Sequence, residues 1–261
     1  LIAGLLAASF ALSTAALQAA SLKISIGIRE NNIAGPIFGD GGGSGNGIEW
    51  VNRDGQPLTA DGTWQLFTFT PATDPLLAFA GTTANSNLEP GHEWAVIEHI
   101  RILNDMGITK PIRIWIDDVT NTVASGPVVQ NFESAALGSE VMFQEPGFSG
   151  STAANLLPGS VTAVSNSMAN SGSQSLQLDF QFVDNNPTRW VRLTTYGTAG
   201  DPGQRNPIVR IVEPGAPAPT ISFYAKALAI PEPTSFLLGC FIGSAALCVR
   251  PRRSGRAVSV G

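Results

Sequence analysis

The chain has 261 residues, a formal net charge of −5, 13% charged side chains, 28 glycines, 18 prolines and two cysteines. Residues 22–230 carry 11 basic against 19 acidic side chains, a net charge of about −8, which argues against nucleic acid as a partner because that contact must neutralise phosphates. Both cysteines, Cys240 and Cys248, lie in a C-terminal apolar run, so the body has neither a disulfide framework nor a thiol nucleophile.

In chain order, residues 1–20 form an uncharged Ala/Leu-rich run. It predicts a secretory signal peptide over residues 1–21, its basic n-region missing, with Ala19, Ala20 and Ser21 offering a small-residue cleavage site. The alternative is an N-terminal core helix. Residues 22–29 then alternate, Leu22, Ile24, Ile26 and Ile28 against Lys23, Ser25, Gly27 and Arg29, as a half-buried strand does. The glycine-rich residues 39–47 lack the Gly-Lys-Ser/Thr ending of a phosphate cradle and read as a loop.

Strands are predicted at 48–51 and 64–70, joined by turn residues at 52–57 and 60–62, then at 95–103 and 111–119. In the last of these Ile112, Ile114, Ile116 and Asp118 share a face, so Asp118 ends an inward row. Residues 120–127 are polar and join two halves of the body. Beyond them come a strand at 128–132, mostly loop over 143–165 and a turn at 171–174. The alternating Leu176, Leu178, Phe180 and Phe182 follow, with further strands at 190–195 and 221–226. The body shows no 3.6-residue period over an ordinary helix length, and ten or more short strands with turns between them predict an all-β sandwich.

At the C-terminus Pro231, Glu232 and Pro233 precede an uncharged, mostly apolar run over 234–249, and Arg250, Arg252, Arg253 and Arg256 follow it. The prolines forbid an earlier helix start. Sixteen residues span about 24 Å as a helix, somewhat short of a hydrocarbon core of about 30 Å, but arginines at the end hold such a segment on the cytoplasmic side. A buried core helix is the alternative. This tripartite tail, residues 231–256, resembles the PEP-CTERM sorting domain. The resemblance implies recognition of Pro231, Glu232 and Pro233 by exosortase, a membrane protease-transpeptidase, and retention at the inner membrane before processing.

Within the body, Asn131-Phe132-Glu133, Gly172-Ser173-Gln174-Ser175-Leu176 and Ile221-Ser222-Phe223-Tyr224 resemble the first half of carbohydrate-binding jelly-roll modules. Gly62-Thr63-Trp64-Gln65 and Ile114-Trp115-Ile116-Asp117-Asp118 resemble the second half. The halves stand in swapped order. Residues 22–124 and 127–228 are therefore expected to form either one circularly permuted jelly-roll-like sandwich or two small ones.

The same resemblance implies a structural calcium held by Glu133 with Asp117 or Asp118. Exposed aromatics beside polar residues suit a pyranose ring, and Trp115, Trp190, Tyr224 and Arg192 fit that description. His92 and His99 read as surface or capping residues, and no nucleophile elbow or zinc motif is present. Asp117 and Asp118 are expected on opposite strand faces, which rules them out as a facing acid–base pair. The expectation is a non-enzymatic, exported surface or extracellular matrix protein that binds extracellular polysaccharide. A glycan hydrolase on the same scaffold and a purely structural surface protein are the alternatives.

Overall fold

The structure, a computed structural model, describes residues 21–30, 47–124, 126, 128–195 and 207–230. Of the signal segment expected at 1–21 only Ser21 is among these residues, where it opens the first strand, and the sorting segment expected at 231–256 lies outside them. Among the described residues no helix is long and apolar enough to cross a membrane.

Among the described residues twelve strands form two antiparallel sheets of six, packed as a sandwich. The first runs β4(Leu76–Ala80), β2(Ile48–Thr59), β1(Ser21–Arg29), β5(Trp94–Leu103) and β10(Trp190–Thr194), with β11(Ile208–Arg210) also on β5. The second runs β3(Asp61–Phe69), β12(Ile221–Ala229), β6(Ile112–Asn121), β9(Ser175–Phe180) and β8(Val161–Ser165), with β7(Val128–Gln130) also on β6. Ala60 alone separates β2 from β3, so the chain passes between sheets at that corner.

The alternation read in the sequence sets which faces meet. Leu22, Ile24, Ile26 and Ile28 of β1 are all fully buried, as are Leu176 and Leu178 of β9, and Phe223 of β12 nearly so. They belong to one core cluster that draws on both sheets. The stretches 22–124 and 127–228 are interleaved: β10 and β11 from the later stretch pair with β5, while β12, β9 and β7 pair with β6 or β3. Among the described residues no pairing joins β1 to β12; β1 lies between β2 and β5.

The departures from the sequence reading have local causes. Residues 52–57, read as a turn, lie inside β2. The strand carries the irregularity through a register shift opposite Ile24 to Ile26, with Asn52 and Gly55 at positive φ, as a β-bulge does. β4, β8 and β11 were not anticipated. All three are short, and β11 has three residues, too few for a period to show.

Candidate functional site

The predicted glycan-binding residues divide between two faces. Trp190 and Arg192 stand on the outer face of the first sheet. Trp115 and Tyr224 stand on the outer face of the second, whose register sets Tyr224 opposite Asp117 and Lys226 opposite Trp115.

On the second sheet Trp115 is only 5% exposed. Its indole N–H donates to Ser167 Oγ at 3.2 Å, and Arg113 and Lys226 lie 5.8 and 6.0 Å from the ring centroid. Arg113 is already committed, donating twice to the Asp179 carboxylate at 2.7 Å. Tyr224 is half-buried. This face is largely satisfied by its own groups.

On the first sheet Trp190 joins residues the sequence reading missed. Trp50 stacks on Phe79 at 4.4 Å between centroids, and Trp190 meets both rings edge-on at 5.7 and 5.9 Å. Such pairs contribute about 0.5–1.5 kcal/mol each beyond burial. Arg53 and Arg101 lie over Trp50 at 5.4 and 5.3 Å, Arg101 lies also over Trp190 at 5.2 Å, and Arg192 over Phe79 at 5.7 Å. These contacts hold the guanidinium groups against the rings by cation–π attraction.

Two bulges build this platform. The β2–β4 register shifts where Phe79 falls between the pairs Glu49–Ala78 and Ile48–Ala80, which turns its ring toward Trp50. In β5 the pairing with β1 steps from Gly27–His99 to Ile28–Ile97, so Glu98 is the extra residue. Glu98 and His99 consequently both leave the core side, while Ile97 and Ile100 both keep it.

His99 is therefore no surface or capping residue: it is fully buried, with Trp50 Nε1–H donating to its Nε2 at 3.1 Å. Burial, with Arg192, Arg101 and Arg29 nearby, holds its pKa well below the usual histidine value. The ring fits because Gly27 has no side chain; a Cβ there would lie 2.2 Å from His99 Cε1. Burial also lowers Arg101 to about 10, with Arg53 adding like-charge repulsion. Glu98 lies 3.3 Å from Arg29 and 4.0 Å from Arg192.

The three residues expected to hold calcium are brought to one turn, residues 170–174. Asp117 Oδ2 accepts from the Asn170 and Ser171 N–H groups, and its Oδ1 accepts from the Asp118 N–H. Asp118 takes the Asn170 amide and the Ser171 hydroxyl. Glu133 accepts from the Ser173 and Gln174 N–H groups on the other side of the turn, where Gly172 leaves it room. The opposite-face expectation for the aspartates is thus corrected. Asp118 has a φ of 49° and the β12 register shifts beside it, so alternation breaks and both carboxylates reach the turn.

Three N–H donors present their positive ends to Asp117, so its oxygens are already engaged within the turn. The Gln174 side-chain amide donates to the Glu133 carbonyl at 3.2 Å, and among the described residues its Oε1 is a buried acceptor with no partner. Among the described residues no group of three or more His, Cys, Asp or Glu side chains is placed to hold a metal.

A cavity of about 200 Å³ is lined by Glu30, Gly47, Glu49, Thr83, Glu89 and His92. Burial pushes the Glu30 carboxyl up to about 7, and Glu49 is also raised by burial. Glu30 Oε2 accepts from the Glu89 N–H and lies 3.7 Å from His92 Nδ1. Burial likewise raises Asp117 to about 6.

Both shifts raise a carboxyl above its unfolded value, so native Glu30 and Asp117 hold protons that the unfolded chain has released. Their contribution is full below the unfolded values of 4.5 and 3.8 and is lost as pH rises through about 6 to 7. The chain should therefore lose about 2 kcal/mol between about pH 5 and about pH 8, with Glu30→Gln removing part of that slope. Thermal melts across this range check it; a melting temperature that is flat or rises contradicts it.

No protein-family model, curated protein or solved structure matches this chain.

Proposed function

We propose that this chain is a non-catalytic, exported glycan-binding protein of the cell surface or extracellular matrix, and that the outer face of its first sheet is the binding face. The observation that carries this reading is the platform of Trp50, Phe79 and Trp190 framed by Arg53, Arg101 and Arg192. A pyranose offers an apolar ring face rimmed by hydroxyls, and stacked rings with charged donors at their edges complement both parts. Trp190 and Arg192 are only partly buried, so this side of the platform is within a ligand's reach.

The wider reading places the sandwich as a circularly permuted jelly roll. Pro231, Glu232 and Pro233 with Arg250, Arg252 and Arg253 then serve as the sorting signal for an exosortase-like membrane protease. Two features support it: the order of the jelly-roll-like motifs, and the Pro-Glu-Pro, apolar, arginine sequence of the tail.

Binding to an immobilised panel of neutral and acidic polysaccharides tests the face. Trp190→Ala is expected to weaken binding at least about tenfold, the equivalent of about 1.4 kcal/mol, while Trp115→Ala leaves it within about twofold. Equal losses at both positions would move the site to another surface, and no binding to any polysaccharide would reject the reading.

A further inference from the structure

We propose that the sugar bound on the first sheet is acidic, a polysaccharide whose carboxylate or sulfate groups sit among Arg53, Arg101 and Arg192. This rests on the glycan-binding reading and narrows it to one ligand class.

The first support is charge placement. On a body with net charge of about −8, four of the 11 basic residues, Arg29, Arg53, Arg101 and Arg192, stand on this one face. Glu98 lies against Arg29 and Arg192, and Asp54 is the acid whose charge acts on Arg101. Neither Arg53 nor Arg101 has a carboxylate within 4.0 Å among the described residues. The two guanidinium groups lie over the same indole, at 5.4 and 5.3 Å. Like charges held that close disfavour each other, and an anion between them relieves the repulsion.

The second support is independent of net charge. Among the described residues three buried polar groups on this face lack a partner: Ser25 Oγ, His99 Nδ1 and Arg101 Nε. Their residues are 0%, 0% and 7% exposed. Ser25 pairs across β1 and β5 with Arg101, and Gly27 with His99, so the three stand side by side. Because His99 Nε2 accepts from Trp50, the ring proton is on Nδ1. All three groups can therefore donate. A buried donor without an acceptor forfeits its hydration without a replacement bond and so destabilises the fold. Carboxylate and sulfate oxygens are acceptors only, and they satisfy such a row directly or through a bridging water.

A competition series on the full chain in mild detergent tests this. Alginate serves as the polyuronate, dextran sulfate as the sulfated sugar, dextran as the neutral sugar and polyglutamate as an acidic non-sugar. Each is measured at about 0.02 M and about 0.5 M salt, where screening differs severalfold in length. Alginate, dextran sulfate or both are expected to bind at least about tenfold more tightly than dextran, with affinity falling at high salt. Comparing the two identifies the anion.

Arg53→Gln, at an exposed position, is expected to weaken that binding about tenfold with the melting temperature unchanged, and Arg192→Gln to weaken it about as much with a lower melting temperature, because it also loses the contact with buried Glu98. If either acidic sugar bound both variants as tightly as the parent, the anion would sit elsewhere and the inference would fall. Dextran binding equally well and without salt dependence would overturn the acidic ligand but leave the glycan reading standing. Polyglutamate matching alginate, or no sugar binding at all, would overturn both.

Discussion

Replacing Phe223 by alanine is expected to cost the sandwich about 3–5 kcal/mol, a fall in melting temperature on the order of 10 °C for a domain of this size. Phe223 is 1% exposed and stacks on Phe67 and Phe69 at 5.7 and 6.1 Å. Its strand, β12, is paired on both sides, to β3 and β6, so the backbone cannot close in on the space left behind. The loss is therefore transfer free energy plus an unrelieved cavity. Phe223→Leu keeps most of the volume and should cost less than about half as much. Because one core spans both sheets and both stretches of chain, unfolding should remain a single transition in either variant. Two separated transitions, or a loss under about 1 kcal/mol, would show that the stretches 22–124 and 127–228 carry separate cores.

The second large effect is expected at Gly27. An alanine Cβ there would stand 2.2 to 2.6 Å from three atoms of the His99 ring. That ring cannot step aside cheaply. It is fully buried, it accepts a hydrogen bond from Trp50, and Phe79 packs edge-on against it at 5.5 Å. Gly27→Ala should destabilise the chain by about 2–3 kcal/mol through overpacking and break the Trp50–His99 bond. Denaturant melts measure the first effect. The indole emission of Trp50 and Trp190 reports the second, since both sit in the displaced cluster. His99→Ala in the same background should recover part of the stability by making room. An additive loss in the double variant would mean that the two sites do not touch.

These two positions also show what the sequence did and did not reveal. The aliphatic row of β1 and the alternation of β9 were legible because a strand with one buried face writes its period directly into the residues. Phe223 was legible as a strand residue, but its partners were not, since Phe67 and Phe223 are far apart in the chain and meet only through the β3–β12 pairing. The binding face was hidden for a related reason. Trp50, Phe79, His99, Arg101 and Trp190 come from β2, β4, β5 and β10, so no local motif contains them.

Bulges hid the rest. Alternation assigns Glu98 and His99 to opposite faces, and Asp117 and Asp118 likewise, whereas the extra residue in β5 and the positive φ at Asp118 put each pair on one side. A usable hint was nevertheless present. His99, Arg101 and Leu103 alternate against Ile100 and Ile102, and Arg192 lies two residues from Trp190 in another strand. Polar or aromatic residues on the outward row of two strands mark a face that does more than meet water.

The platform also explains why so much polar surface is buried on an outer sheet face. Ser25, Arg29, Glu98, His99 and Arg101 are all buried, and the rings of Trp50, Phe79 and Trp190 pack against His99 and Arg101. Burying unpaired donors there costs stability, and a bound anion would return it by mass action. A saturating acidic sugar should therefore raise the melting temperature as well as bind.

The most direct measurement follows the indole N–H signals of the five tryptophans by NMR while oligosaccharides are added. A glycan seated on the first sheet should shift the Trp50 and Trp190 signals together and saturably, and leave those of Trp64 and Trp115, on the second sheet, in place. Shifts confined to Trp64 or Trp115, or none at any sugar concentration, would contradict a binding face at Trp50 and Trp190.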